Sequence, residues 1–404
     1  MVVKGAPLRS DSRIAIVCGG GGITGGVFEV GALRALDEAL GGGIVNTADT
    51  YAGASAGALI ATLLAAGLTP REMEQVIVRG ARNRRRLPAL KRTSVYGIDR
   101  GAWMRSAAKL PLVMAKGFAT SLLPGDQTGL ADALFEGMGA LPSGIFTNAP
   151  LAAFVEDILK QLGKPLSFAE LDKQLLITAV NVDTGHRAVF GTPGSRDISI
   201  PQAVRASAAV PLMFHPVRIA DQDFIDGGVE RNLPVDVAIE AGAHLIIAIN
   251  PLVPVVNDPR SDDSLNRGFR YLSDRGLPAV ADQVFRMLVR SQVLYGLKAM
   301  RERFPEVDIV LIEPEAHDWT MFSYHPMRYS VRASLAQHAY DMTRSRLARD
   351  EELLTRVFAR HGLVFDARRM GKVTTERERR KKSPLVRLLN RLPRGGGGDS
   401  GDLL

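Results

Sequence analysis

Cysteine is nearly absent from this chain. Cys18 is the single one in 404 residues, so no internal disulfide can form and the fold must rest on core packing. That scarcity fits a reducing, cytoplasmic setting. No stretch is apolar for long enough to span a bilayer; the richest, residues 52–68, is heavy in Ala and Gly and reads as a buried helix. The opening residues MVVKGAPLRSDS lack the apolar run of a secretory leader. There is no His-Glu-x-x-His and no cysteine cluster, which removes the usual zinc arrangements, and no metal or other cofactor is expected. Few aromatics interleave with the basic runs, so nucleic-acid binding is not expected.

What is present is apolar substance and unevenly placed charge. The chain is 46% hydrophobic, enough for a sizeable core, and its net charge is +8. Residues 79–92 hold seven basic and no acidic side chains, and residues 372–394 hold nine basic and two acidic. The remaining body is therefore net acidic, with two basic segments suited to phosphate-bearing surfaces.

Apolar patterning gives short strands alternating with helices. Strands are predicted at 13–18, 50–54, 175–182, 186–190, 221–226 and 245–250. Helices are predicted at 27–40, 55–66, 151–162, 200–207 and 234–241, with another starting at Thr69-Pro70. Such alternation predicts an α/β fold built on a parallel sheet. Beyond residue 250 the pattern reads as a polar loop over 251–278, a helix over 280–303, one more strand at 308–313 and helix over 327–360.

Three places carry chemistry. In Gly53-Ala54-Ser55-Ala56-Gly57 a serine lies between a strand and an apolar helix. A serine hydroxyl is a poor nucleophile and must project without crowding the carbonyl it attacks; a sharp elbow flanked by Gly53 and Gly57 allows that. The glycine run 19–26 joins a strand to a helix, so its backbone N–H groups are positioned for an oxyanion. Far downstream, Asp226-Gly227-Gly228 fixes a carboxylate in a tight turn, where it can accept the Ser55 proton directly. A Ser-His-Asp triad would instead need a histidine: His215 is the nearest candidate, and His244 follows the acid in chain order. Gly20-x-Gly22-x-x-Gly25 also matches a dinucleotide fingerprint, but no acidic residue ends a second strand about 20 residues on.

As a set, these residues resemble the patatin-like phospholipase family. The resemblance rests on Gly20–Gly25, Gly53–Gly57 and Asp226–Gly228, with supporting stretches at Ala203–Pro211 and Asn232–Val235, and covers residues 13–250. It implies a three-layer α/β/α fold with a mostly parallel central sheet. It also implies a Ser-Asp dyad, in which Ser55 attacks a carboxylic ester of a lipid or phospholipid and Asp226 is the general base. Gly20, Gly21, Gly22, Ile23 and Gly25 would form the oxyanion loop, with the amides near Gly21, Gly22 and Ile23 as donors. Gly227 and Gly228 would shape the acid turn. Thr24 departs from the pattern, standing where the family often carries Arg or Lys.

The expected organisation is a catalytic domain over 13–250, with 80–145 as a cap insertion. A mainly helical extension over 251–370 and a basic, Gly-rich, disordered tail over 371–404 follow. Expected partners are a lipid substrate and an anionic membrane, met through 79–92 and 372–394, with the protein cytoplasmic and peripheral at the membrane. A non-catalytic lipid-binding protein that keeps the fold is the alternative.

Overall fold

The computed structural model describes residues 11–80, 85–121, 139, 141–195, 197–260 and 268–371. The expected tail from residue 372, the basic segment 372–394 and part of the expected cap lie outside them, as do Arg82 and Arg84.

The first strand, β1 (Ile14–Cys18), is apolar throughout and buried on both faces. Ile16 and Cys18 enter one hydrophobic cluster while Ala15 and Val17 enter another. A strand with two apolar faces needs helices above and below it. The chain continues through α1 (Gly22–Ala39), β2 (Thr50–Ala54) and α2 (Ala56–Ala65). Next come α3 (Arg100–Ser121), β3 (Gly144–Phe146), α4 (Ala149–Gln161), β4 (Gln174–Asn181) and β5 (Arg187–Phe190). The short helix α5 (Ile200–Ser207) precedes β6 (Leu212–Phe214), β7 (Val217–Ile219) and β8 (Gln222–Asp226). Then follow α6 (Val235–Glu240), β9 (Leu245–Ile249), α7 (Leu277–Arg303), β10 (Asp308–Ile312), α8 (Arg332–Arg349) and α9 (Glu351–Arg360).

The central sheet runs β10-β9-β1-β2-β4-β8-β7, with β5 on β4 as well. The first five strands are parallel, and β5, β8 and β7 add antiparallel pairs. One face packs side chains of α1, α2 and α8, such as Phe28, Leu63 and Tyr340; the other packs Val235 of α6 and Val289 and Val293 of α7. This is the expected three-layer α/β/α fold with a mostly parallel sheet.

Three differences from the sequence reading have local causes. Helix α1 starts at Gly22, five residues before the predicted Val27. Glycines carry no helix signal, and this first turn is held from outside, Thr24 N–H donating to the Pro326 carbonyl at 2.9 Å. The helix predicted over 327–360 is two helices meeting at Asp350. The stretch 251–370 is helical over α7, α8 and α9, but its strand β10 pairs with β9 from Asp308↔Leu245 to Ile312↔Ile249, so it shares the central sheet and core.

Candidate active site

Strand register brings Ser55 and Asp226 together. On one edge of β4, β2 pairs with Gln174–Thr178 and ends with Ala54 opposite Thr178. β8 runs in the opposite direction and ends with Asp226 opposite Ala179. β5 pairs with Ile177–Val180 and so occupies the other edge, which puts β2 and β8 on the same one. The two strand ends meet head to head, and the residue after Ala54 comes beside the last residue of β8.

That residue, Ser55, has φ 55° and ψ −124°, a region L-residues rarely adopt. Such backbone strain costs on the order of 1–3 kcal/mol and persists only where the surroundings enforce it. The Ser55 N–H donates to Ser207 Oγ at 2.8 Å, and Ser207 is itself fully buried at the end of α5. A Cβ on Gly57 would strike the Cys18 carbonyl, and one on Gly53 the Gly57 carbonyl. These two glycines let α2 begin directly against the end of β1.

Asp226 is buried, and its Oδ1 accepts the Gly228 N–H at 2.8 Å. Its Oδ2 is buried with no formed hydrogen bond among the described residues. Burial pushes the carboxyl up to about 6, while the nearby Ser55 hydroxyl and the Gly228 N–H pull the other way. Gly227 packs on the Thr178 backbone. The group is thus a carboxylate near neutral pH, more basic than an exposed aspartate, with one oxygen unengaged.

The glycine loop lies against Ser55 and reaches the acid turn through Asn232. Gly20 N–H donates to Asn232 Oδ1 at 3.1 Å, and Asn232 Nδ2 donates back to the Gly20 carbonyl at 3.2 Å. A Cβ on Gly20 would lie 2.9 Å from Ser55 Cβ, and one on Gly228 would lie 2.6 Å from Asn232 Oδ1. Gly25 N–H is engaged too, donating to the Gly21 carbonyl at 2.9 Å. The N–H groups of Gly21, Gly22 and Ile23 have no partner among the described residues. Of the five loop residues read from sequence, Gly20 and Gly25 therefore supply shape, because their amides are already used.

Ser55, Gly22 and Ile23 line an apolar cavity of about 630 Å³, counting the open space at its mouth. Leu59, Ile60, Ile77, Leu90, Leu151, Phe214 and Met327 make up much of its wall. No histidine lines it, and among the described residues neither Ser55 nor Asp226 has a histidine partner. His215 Nδ1 instead lies 3.1 Å from Ser143 Oγ, and His244 Nδ1 accepts the Arg13 N–H at 3.1 Å.

A family model described as patatin-like phospholipase matches residues 16–239, more than half of the chain. The chain belongs to this family. Relatives of this patatin-like protein include a probable lipid hydrolase, 463L, of Invertebrate iridescent virus 6. That protein is 24% identical over 226 residues, which is 54% of this chain and 61% of the relative. A cGAMP-activated phospholipase of Escherichia coli (strain TW11681) is 31% identical over 103 residues, 24% of this chain and 28% of that protein. The matches thus span less than two thirds of either relative's length. Among solved structures, VipD from Legionella pneumophila is 15% identical with a TM-score of 0.39, over 86% of this chain and 70% of that one. Full-length ExoU, solved with SpcU of the Pseudomonas aeruginosa type III secretion system, is 17% identical with a TM-score of 0.26, over 74% of this chain and 53% of that one.

Two residues of this patatin-like site had no role in the sequence reading. Asn232 ties the glycine loop to the acid turn, and Ser207 ties α5 to the elbow. Both are polar and buried to within 1% of full enclosure. A buried Asn or Ser has no periodic signature, so only its position in the Ala203–Pro211 and Asn232–Val235 stretches could have flagged it. The basic segment 79–92 is partly paired with the body: Arg79 Nη2 lies 2.8 Å from Glu74 and Arg85 Nε 3.1 Å from Glu72.

Proposed function

We propose that the protein is a carboxylic ester hydrolase acting on acyl lipids through a covalent acyl-enzyme on Ser55. The observation that carries this reading is the conjunction at one point of a strained serine, a buried carboxylate with an unengaged oxygen, and three unpartnered amides. The Ser55 hydroxyl adds to the ester carbonyl as Asp226 Oδ2 takes its proton. Negative charge then develops on the former carbonyl oxygen and is held by the N–H groups of Gly21, Gly22 and Ile23. Collapse expels the alcohol, which receives the proton from Asp226, and leaves the acyl group on Ser55. Water then attacks that acyl group while Asp226 takes its proton, and Ser55 regains a proton as the fatty acid leaves.

The apolar cavity beside Ser55 supports an acyl chain as the part of the substrate bound deepest. An elevated carboxyl basicity supports Asp226 as the base, since proton transfer from a hydroxyl is easier as the acceptor approaches it in affinity. Thr24 is buried and bonded through its backbone to Pro326, so the loop's work falls to amides and not to a side-chain cation. Labelling with a fluorophosphonate probe tests the reading: wild-type protein is expected to label and Ser55→Ala to remain unlabelled. Equal labelling of both would overturn the assignment, as would wild-type ester hydrolysis by Asp226→Asn.

A further inference from the structure

Helix α7 is apolar on two opposite sides, and only one of them is used by the core. Val289, Val293 and Leu297 face the sheet and are buried. On the other side Leu277, Val284, Leu288 and Tyr295 recur at helical spacing and point outward, with Leu277 at 81%, Leu288 at 61% and Tyr295 at 74% exposure. Phe285 and Met287 widen this stripe. Over residues 277–297 no charged side chain is exposed: Asp282 and Arg286 pair with each other at 2.8 Å, and Arg290 pairs with Glu313.

A helix apolar all round is normally enclosed, and an exposed face of this length marks a contact surface. Cations stand at its two ends. Arg275 precedes the helix beside Asp274, and Lys298 and Arg303 close it together with Arg301 and with Glu302, which lies 4.0 Å from Lys298, so the C-terminal end keeps a net positive charge. Apolar side chains along the middle with cations at both ends match a lipid surface, where the chains enter the acyl layer and the cations reach the phosphates. The helix is also tied to the candidate site, since Gln292 Nε2 donates to the Val229 carbonyl at 3.4 Å, three residues after Asp226.

We propose that the outer face of α7, across the sheet from the helices that wall the cavity, is a docking surface for a phospholipid bilayer and holds the protein at its substrate. The substrate part of this inference rests on the hydrolase reading above; the docking part does not. Co-sedimentation with phosphatidylcholine vesicles containing one fifth phosphatidylserine tests docking on a Ser55→Ala background, so that turnover plays no part. The combined Leu277→Glu, Leu288→Glu and Tyr295→Glu variant is expected to lose vesicle binding by about tenfold for each exchanged residue. In the chain with Ser55 intact, the same three exchanges are expected to leave hydrolysis of a short soluble ester within about twofold and to lower hydrolysis of vesicle lipid in step with binding.

Undiminished vesicle binding by the triple variant would overturn the docking surface. So would a wild-type dimer that the triple variant converts to monomer without any change in vesicle binding, which would assign the face to a second copy of the chain. Docking that survives on Ser55→Ala while soluble-ester hydrolysis is absent from the wild type would leave this surface standing and remove the hydrolase reading alone. Thermal unfolding of the triple variant is expected to match wild type, because all three side chains are mostly exposed.

Discussion

The two ends of the central sheet treat a buried carboxylate in opposite ways. Asp308 opens β10 at one end and is enclosed by cationic and hydrogen-bonding partners. Arg360 Nη2 donates to Oδ1 at 2.6 Å, and His361 Nε2 lies 2.8 Å from Oδ2. Asp226 closes β8 at the other end with one backbone donor on Oδ1, a nearby hydroxyl and an unengaged Oδ2. Both are nearly inaccessible, so burial alone does not distinguish them. The difference is the supply of positive charge. A buried carboxylate with a guanidinium is a structural tie, and breaking it leaves its partners stranded. One without a cation is held in a less stable charged form, and that stored basicity is available to a proton.

Exchanging each acid for its amide breaks the comparison most sharply. Asp226→Asn is expected to lower turnover of a soluble ester by about 10³- to 10⁴-fold, by loss of the base. The same exchange should raise stability at neutral pH, because a folded carboxyl pushed up to about 6 binds its proton more tightly than the unfolded one. That group's favourable contribution is full below about pH 4 and is lost as pH rises through about 6. The stability gap between Asp226→Asn and wild type should therefore open across that window, by roughly 3 kcal/mol. Denaturant unfolding at pH 4 and pH 8 measures it, and a gap independent of pH would contradict the scheme. Asp308→Asn should do the reverse, costing roughly 3–5 kcal/mol of stability while leaving the activity of the folded fraction within about twofold.

A smaller change follows in the pH profile. Wild-type kcat/KM on a neutral soluble ester should climb with unit slope and level off near pH 6, as Asp226 loses its proton. Asn232→Ala should sharpen the picture further by loosening the glycine loop without touching the acid. A fall of about tenfold to a hundredfold in kcat, with little change in KM and the same pH midpoint, is expected. A shifted midpoint would mean that Asn232 acts on Asp226 and not on the loop.

Much of this arrangement was legible in the chain, and the reasons it was legible are physical. Strands β1 and β9 are buried on both faces and read as unbroken apolar runs alternating with helices, so an α/β fold on a parallel sheet followed from the pattern, and the three-layer arrangement from the family resemblance. Ser55 stood out because a strand, a small-residue turn and an apolar helix succeed one another locally. What escaped was tertiary. The turn that begins α1 at Gly22 is held by Pro326, some 300 residues away, and no local preference announces it. Asn232 joins Gly20 across 212 positions, a contact that leaves no mark in spacing or periodicity. The outer stripe of α7 was not distinguished in the sequence, where 280–303 read only as a helix, since which apolar side meets the core is decided by the sheet it lands on.

The abutment of β2 and β8 on one edge of β4 carries a consequence for how such proteins diversify. Main-chain pairing to a third strand sets the separation of Ser55 and Asp226, so the stretch between α2 and β4 is released from that duty. Leu90 and Val95, which lie in that stretch, contribute to the cavity wall without taking part in the pairing. Under the proposed mechanism, exchanging Leu90 or Val95 would reshape part of the cavity wall while strand pairing keeps Ser55 beside Asp226.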